Sequence, residues 1–193
     1  WVIAENYFKP YPSCRYTHAP LDALREAVDG EPIDPANIDS VVVATFSNGT
    51  DMDHTAPATM TSAKFSTPYV LARYLRDGSL SLTDFTDDAI TAESVRKLAT
   101  RVELVDDETF EAAFPESWGA RVTVELSDGR TLTGERDYPR GDYRDPIPDE
   151  QYRNRTQTLL SHGLSADHAD DALSALDAMT NQPLRVTVEF LRG

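Results

Sequence analysis

Three basic or titratable side chains occur within ten residues near the start of the chain: Lys9, Arg15 and His18. The segment that carries them also contains Pro10 and Pro12, which favour an extended backbone around them. Arginine binds a carboxylate through two parallel hydrogen bonds, and lysine attracts it as a point charge. The spacing therefore indicates a rigid arm suited to holding a carboxylate, although an exposed arm with solvated charges fits the same pattern.

The cations of this arm stand out because the rest of the chain is acidic. The 193 residues include 33 Asp and Glu against 18 Lys and Arg, which gives a net charge of −15, and only three of the basic residues are lysines. Such a charge repels phosphate backbones and argues against nucleic-acid binding. It also favours a halophilic protein that stays soluble in high salt, with an ordinary acidic protein as the alternative. Against this background Lys9 and Lys64 are candidates for function.

Other common kinds of site have little support in the sequence. The four His residues and the single cysteine, Cys14, show no metal-ligand spacing, so we expect no metal. No Gly-rich phosphate loop or G-x-S-x-G motif is present, which disfavours nucleotide binding and serine-hydrolase chemistry. No apolar run approaches the roughly 20 residues that span a bilayer, and no secretion signal opens the chain. We therefore predict a cytoplasmic protein without a membrane segment.

The elements that must position these side chains begin with a helix over 21–28 that ends near Gly30. A β-branched, apolar run over 38–46 predicts a buried strand. Residues 47–61 show no periodicity and predict a loop. The apolar spacing of residues 62–75 predicts one helix, with Lys64 at its start.

The second half of the chain is richer in alternating patterns, which are typical of half-buried strands. The Asp128-Gly129 pair between two such runs predicts a β-hairpin. The predicted elements are strands over 102–105, 121–126 and 131–135, helices over 149–160 and 165–179, and a strand over 184–191. Together they predict a single α+β domain over residues 1–193, with a mainly antiparallel sheet and helices packed on it.

Separate blocks of the sequence resemble motifs of the MmgE/PrpD family and follow the family's order. The first, over residues 9–23, reads KPYPSCRYTHAPLDA and is similar to the family's K-x-Y-P-x-C-R-x-x-H-x-x-x-D-A stretch. The others resemble its A-K-F-S helix followed by Asp-Gly, and its D-G…P-x-G…N-P-L-S segment. They are Ser62 to Val70 with Asp77-Gly78, then Asp128-Gly129, Pro139-Arg140-Gly141 and Asp145 to Pro148. Asp145 and Arg155 depart from this pattern, because the family usually has Asn and often Lys there.

The resemblance implies the smaller, second domain of a two-domain enzyme, whose first domain is helical and is missing from this chain. The active site of the family lies in the cleft between the two domains, and the whole enzyme is expected to be a homodimer. The family includes 2-methylcitrate dehydratase, cis-aconitate decarboxylase and iminodisuccinate epimerase, so the resemblance implies a cofactor-free lyase in propionate metabolism that acts on a small carboxylate. The isolated domain would be inactive.

The resemblance also assigns roles to single residues. Lys9 matches the active-site lysine at the domain junction, and His18 is a candidate proton shuttle, although a core or capping histidine is the alternative. Arg15, Lys64 and Arg140 are candidate substrate-binding cations. Dehydration of a methylcitrate-like acid is the first expectation, with decarboxylation, epimerisation or a non-catalytic binding module left open.

Overall fold

The computed structural model describes residues 2–31 and 33–179. The chain forms two compact units, Trp1–Asp145 and Pro146–Gly193. The larger unit contains the helices α1 (His18–Val28), α2 (Ser47–Thr50), α3 (Met60–Lys64), α4 (Thr67–Asp77), α5 (Asp87–Thr91), α6 (Glu93–Ala99) and α7 (Glu108–Ala113), and the strands β1 (Ile38–Thr45), β2 (Val102–Asp106), β3 (Ala120–Leu126) and β4 (Thr131–Arg136). Short 3-10 turns lie at Val2–Glu5, Arg15–Thr17, Pro35–Asn37 and Leu82–Phe85.

The four strands form one sheet in the order β2-β1-β3-β4. Strand β1 pairs parallel with β2 and antiparallel with β3, and β3 pairs antiparallel with β4. The β3–β4 turn contains Gly129 at a φ of 85°, and its N–H donates to the Leu126 carbonyl oxygen. The α+β class, the mostly antiparallel sheet and this hairpin are therefore confirmed, and the parallel β1–β2 pair makes the sheet mixed.

Helices cover one face of the sheet. Helix α1 lies across β3 and β4 and buries Leu21 and Leu24 completely, while α4 packs against α6 and contributes Val70 and Leu71 to the same core. The contact between α1 and β4 is close, because a Cβ atom on Gly134 would lie 2.1 Å from the Ala23 carbonyl oxygen. The main core thus lies between this helical layer and the sheet, and Ala44, Phe46 and Phe110 form a second, smaller apolar cluster.

Two predicted boundaries are wrong. The helix expected over 62–75 is two helices, since α3 ends at Lys64 and a new N-cap forms at Ser66, whose hydroxyl accepts from the Tyr69 N–H. The segment 47–61, expected to be a loop, contains α2 and the start of α3. Lys64 therefore lies in the last turn of a helix, where a cation complements the helix dipole, and not at a helix start.

The smaller unit contains α8 (Asp149–Ser161) and α9 (Ala166–Asp177), close to the two helices predicted there. The Ser165 hydroxyl accepts from the His168 N–H and caps α9. The strand predicted over 184–191 lies outside the described residues, and the single-domain assignment of 1–193 stays a prediction. None of the helices in the described part of the chain has the length and apolar character that crossing a membrane requires.

Candidate functional site

The predicted site residues come together in the larger unit, where α1 and α4 begin. We call residues 7–14 the lead-in and residues 139–145 the acidic turn. The lead-in runs into α1 and is joined to the acidic turn by a hydrogen bond from the Phe8 N–H to the Gly141 carbonyl oxygen at 2.9 Å. A second hydrogen bond, from the Cys14 N–H to the Lys64 carbonyl oxygen at 2.8 Å, joins the lead-in to α3 just before α4. Residues far apart in sequence are therefore neighbours here.

Lys9 and Lys64 are the two lysines of this site. The Lys9 side chain is exposed, and its Nζ donates to the Ser13 carbonyl oxygen at 3.1 Å. The Lys64 side chain is half-buried, with Nζ 5.7 Å from the centre of the Phe85 ring. In the described part of the chain neither lysine forms an ion pair, whereas arginines form every ion pair found there. The Lys9 ammonium thus lies at the lead-in and the Lys64 ammonium lies over Phe85, and neither has a carboxylate partner among the described residues.

Arg15 is held within the unit. Its guanidinium lies between the rings of Tyr7 and Trp118, with its central carbon 4.4 and 4.0 Å from the two ring centres. One of its nitrogens is 3.0 Å from a carboxylate oxygen of Asp142. The structure therefore places this predicted substrate-binding cation in the site but directs it at a carboxylate of the protein itself.

His18 is completely buried at the first residue of α1. Its Nε2 lies 3.3 Å from the Ser13 carbonyl oxygen and its Nδ1 is hydrogen-bonded to the Tyr7 hydroxyl. Because a carbonyl oxygen only accepts, Nε2 carries a proton in this contact, and in the neutral imidazole Nδ1 then accepts from the Tyr7 hydroxyl. The rings of Tyr7 and Tyr11 pack edge-on against the imidazole. His18 is thus at the predicted place, and its catalytic role stays a prediction.

Arg140 belongs to the acidic turn, and its backbone position is fixed by Asp22. Asp22 is 1% exposed, and its two carboxylate oxygens accept from the Tyr11 hydroxyl and from the Arg140 N–H at 2.8 Å. Burial raises the pKa of Asp22 above its ordinary value, although both hydrogen bonds oppose that effect. The Arg25 guanidinium donates to the Tyr11 hydroxyl and completes this buried network.

Asp142 is the second buried carboxylate of the site, at 2% exposure. Arg144 donates to it through its backbone N–H and its guanidinium, and Arg15 donates from the opposite segment. Burial alone would raise the pKa of Asp142, but the hydrogen bonds from Arg144 and the charge of Arg15 lower it below its ordinary value. Asp142 therefore stays ionised at neutral pH and neutralises part of the local positive charge.

Four residues of this site are absent from the sequence-based prediction: Tyr7, Tyr11, Asp22 and Asp142. Acidic and aromatic residues are common in this chain, so their types alone do not mark them. Their positions relative to the family motifs could have marked three of them, because Tyr11 and Asp22 lie inside the first motif block and Asp142 directly follows Pro139-Arg140-Gly141. The sequence does not show that the first motif block and the segment around Asp142 are in contact.

The groups present favour an anionic organic ligand. Helices α1 and α4 both begin at this site, and the positive end of a helix dipole attracts an anion. The two lysines add positive charge that carboxylates of the described residues do not neutralise. In that part of the chain no three His, Cys, Asp or Glu side chains are grouped as a metal site would need, and the expectation of a metal-free protein stays a prediction.

The chain has relatives among known protein families and curated proteins. The family model described as MmgE/PrpD C-terminal domain matches residues 11–180, a range that includes Arg15, His18, Lys64 and Arg140 and begins two residues after Lys9. Cis-aconitate decarboxylase of Mus musculus is 24% identical over 201 residues, which cover 100% of this chain and 41% of the mouse protein.

Two further relatives give similar values. Cis-aconitate decarboxylase of Homo sapiens is 25% identical over 200 residues, which cover 100% of this chain and 41% of the human protein. The enzyme of the same name from Aspergillus terreus is 25% identical over 195 residues, 94% of this chain and 40% of the fungal protein. The chain therefore spans about two fifths of the length of the curated relatives that it matches.

Proposed function

Because the chain belongs to the MmgE/PrpD family and matches its C-terminal domain, we propose that it forms one side of the active site of a cofactor-independent lyase. The substrate is a di- or tricarboxylate, and a helical domain outside this chain forms the other side. The enzyme is cytoplasmic and homodimeric.

The observation that carries this proposal is the pair of lysines without carboxylate partners among the described residues. A substrate with two or three carboxylates must approach a protein of net charge −15, so it needs local cations. Lys9 and Lys64 lie beside Ser13 and Cys14. Together with Arg140 on the acidic turn they supply that charge.

The first reaction that we propose is dehydration of a methylcitrate-like acid, as part of propionate metabolism. A base removes the proton on the carbon next to a carboxylate, and the resulting negative charge develops on the carboxylate oxygens. The β-hydroxyl then leaves as water after an acid donates a proton to it. Lys9 stabilises the developing charge or acts as that acid, and His18 relays protons behind it. Lys64 and Arg140 contribute positive charge towards the substrate.

Decarboxylation is the second candidate, and the names of the curated relatives favour it. Here the bond to a carboxylate carbon breaks, CO2 leaves, and a proton replaces it on the same carbon. The same cations would stabilise the carbanion that forms. Epimerisation needs the proton to return on the other face, and a non-catalytic module would only bind the acid.

The test is an assay of the complete protein that contains this chain, in high salt. 2-Methylcitrate, citrate and cis-aconitate are incubated with the enzyme, and the products are identified by proton NMR. Loss of water from 2-methylcitrate supports the first reaction, and release of CO2 from cis-aconitate supports the second. No turnover of any of the three acids would refute the lyase proposal and favour the binding module.

A further inference from the structure

Asp142 is a buried carboxylate that accepts hydrogen bonds from two arginines. The residue is 2% exposed, and its carboxylate accepts from Arg144 Nε at 2.8 Å, from the Arg144 N–H at 3.0 Å and from Arg15 at 3.0 Å. Removing one partner of such a buried pair leaves an uncompensated charge, which is strongly unfavourable. The Asp142 carboxylate therefore links Arg15 to the acidic turn, more than a hundred residues away in sequence. We call this contact the tie.

Arg15 is the other half of this tie. Both faces of its guanidinium are covered, by the rings of Tyr7 and Trp118, and its terminal nitrogen is bonded to Asp142. A guanidinium that binds a substrate carboxylate directly presents its donors to the ligand. The donor that this structure shows in use is directed at the acidic turn.

The tie lies beside the groups that the proposed function uses. Next to it, the Phe8 N–H donates to the Gly141 carbonyl oxygen, which fixes the residue before Lys9 against the residue after Arg140. Gly141 has a φ of 92°, and a Cβ atom there would lie 2.0 Å from the Phe8 carbonyl oxygen. Only glycine allows this approach, so the lead-in and the acidic turn are built to touch.

We propose that Asp142 is a positioning residue, which acts through Arg15 to hold the lead-in and the acidic turn together so that Lys9 and Arg140 face the substrate. Arg15 is then also a positioning residue, in contrast to the substrate-binding role that its sequence motif suggests. The expected effect on catalysis rests on the proposed lyase function, whereas the contact between the lead-in and the acidic turn does not.

The two roles of Arg15 predict opposite effects of Asp142→Asn. If Arg15 binds substrate directly, removing Asp142 frees the guanidinium and lowers the net negative charge, so KM should fall or stay the same. If Asp142 positions the site, kcat/KM in the complete protein should fall about tenfold to a hundredfold, because small displacements of catalytic groups are costly. Arg15→Gln and the double variant should then match Asp142→Asn within about threefold, as expected for residues that act as a unit.

The matched control is Asp107→Asn, which removes a carboxylate paired with Arg121 in the same unit and should leave kcat/KM unchanged. Hydrogen exchange supplies a measurement that needs no turnover: Asp142→Asn should speed exchange in residues 7–14 and 139–145, and Asp107→Asn should not. If Asp142→Asn does not fold, Arg15→Gln carries the same exchange test, because it leaves Asp142 bonded to Arg144.

Unchanged exchange in both segments, or a kcat/KM that Asp142→Asn leaves intact or improves, would overturn the positioning role. An unaltered protein without any lyase activity would instead refute the proposed function, and the exchange measurement alone would then decide the structural link.

Discussion

At the residue scale, the charged side chains of the site divide by what they contact. Arg15, Arg25 and Arg144 are bonded to groups of the protein, whereas Lys9 and Lys64 have no carboxylate partner among the described residues. Arginine suits the first role because its planar fork binds fixed acceptors and stacks on rings. Lysine suits the second, since a flexible ammonium can move to a ligand.

The residue types of the site were predictable, but the division of labour was not. Lys9, Arg15 and His18 were visible as a cluster because they lie within ten residues in a chain with few cations. The partners that give Arg15 and Arg140 their positions, Asp142 and Asp22, are 127 and 118 residues away in sequence. No local pattern encodes a contact at such a separation.

A buried ion pair elsewhere in the larger unit gives a prediction about stability and pH. Asp84 accepts from Arg73 and from the Ser81 N–H and hydroxyl. Burial raises its pKa, but these partners outweigh that effect and lower the pKa below 3.8. Asp84→Asn should reduce the free energy of unfolding at pH 7 by about 2 kcal/mol, because it leaves buried donors poorly satisfied.

The pH dependence of this loss has a fixed sign. An acid with a lowered pKa in the folded state stabilises the fold above its unfolded pKa, and that stabilisation disappears as the pH falls through the folded value. The difference between Asp84→Asn and the unaltered protein should therefore shrink below pH 3.8 in urea titrations. The exposed Asp39→Asn is the control, and an equal loss in both variants, or a pH-independent one, would contradict this assignment.

At the element scale, helix α1 connects the site to the sheet. It begins at His18 in the site, carries Asp22 one turn later, and lies on β3 and β4. Its position on β4 depends on Gly134, where the helix backbone comes close to the strand. A shift of α1 would therefore move His18 and Asp22 together.

Gly134→Ala tests this close approach. The new Cβ atom would lie 2.1 Å from the Ala23 carbonyl oxygen and 2.6 Å from the Ala27 nitrogen, and backbone atoms cannot rotate away as a side chain would. We expect a loss of about 3 kcal/mol in the free energy of unfolding, measured by thermal denaturation. Gly163→Ala, whose Cβ would meet nothing within 4 Å, is the control. A Gly134→Ala protein as stable as this control would show that α1 is not packed as described.

The elements could be predicted from sequence where a pattern is continuous. Strand β1 and the β3–β4 hairpin were found from β-branched residues and from Asp128-Gly129. The break between α3 and α4 was not, because Ser66 caps a new helix while the apolar spacing runs on across it. The parallel pairing of β2 with β1 could not be predicted either, because a half-buried strand has the same alternating pattern whether it pairs parallel or antiparallel.

At the scale of the whole molecule, the net charge of −15 determines how the protein responds to salt. Most of the basic residues are arginines. In the described structure, every acidic group that forms an ion pair forms it with an arginine. The remaining carboxylates repel each other, and this repulsion weakens as dissolved salt screens it. The composition therefore supports the interpretation of a halophilic protein, which stays a prediction.

A salt titration tests that interpretation. The unfolding temperature should rise between about 0.1 and about 2 M KCl at pH 7, by about 2–4 °C for each kcal/mol of repulsion that is screened. The same titration near the sequence isoelectric point of 4.5, where repulsion largely cancels, is the control and should show a smaller rise. A temperature that stays constant or falls with KCl at pH 7 would contradict the halophilic assignment.

The central claim is that Lys9 acts on a carboxylate substrate, and a comparison of lysines tests it most directly. Lys97 lies exposed in the last turn of α6, so Lys97→Ala removes the same charge away from the site. In the complete protein, with whichever tricarboxylate it turns over, Lys9→Ala should lower kcat/KM about a hundredfold or more, as expected for loss of a group that stabilises developing charge. Lys97→Ala should stay within about twofold of the unaltered enzyme. A Lys9→Ala enzyme that also stays within about twofold would contradict the account.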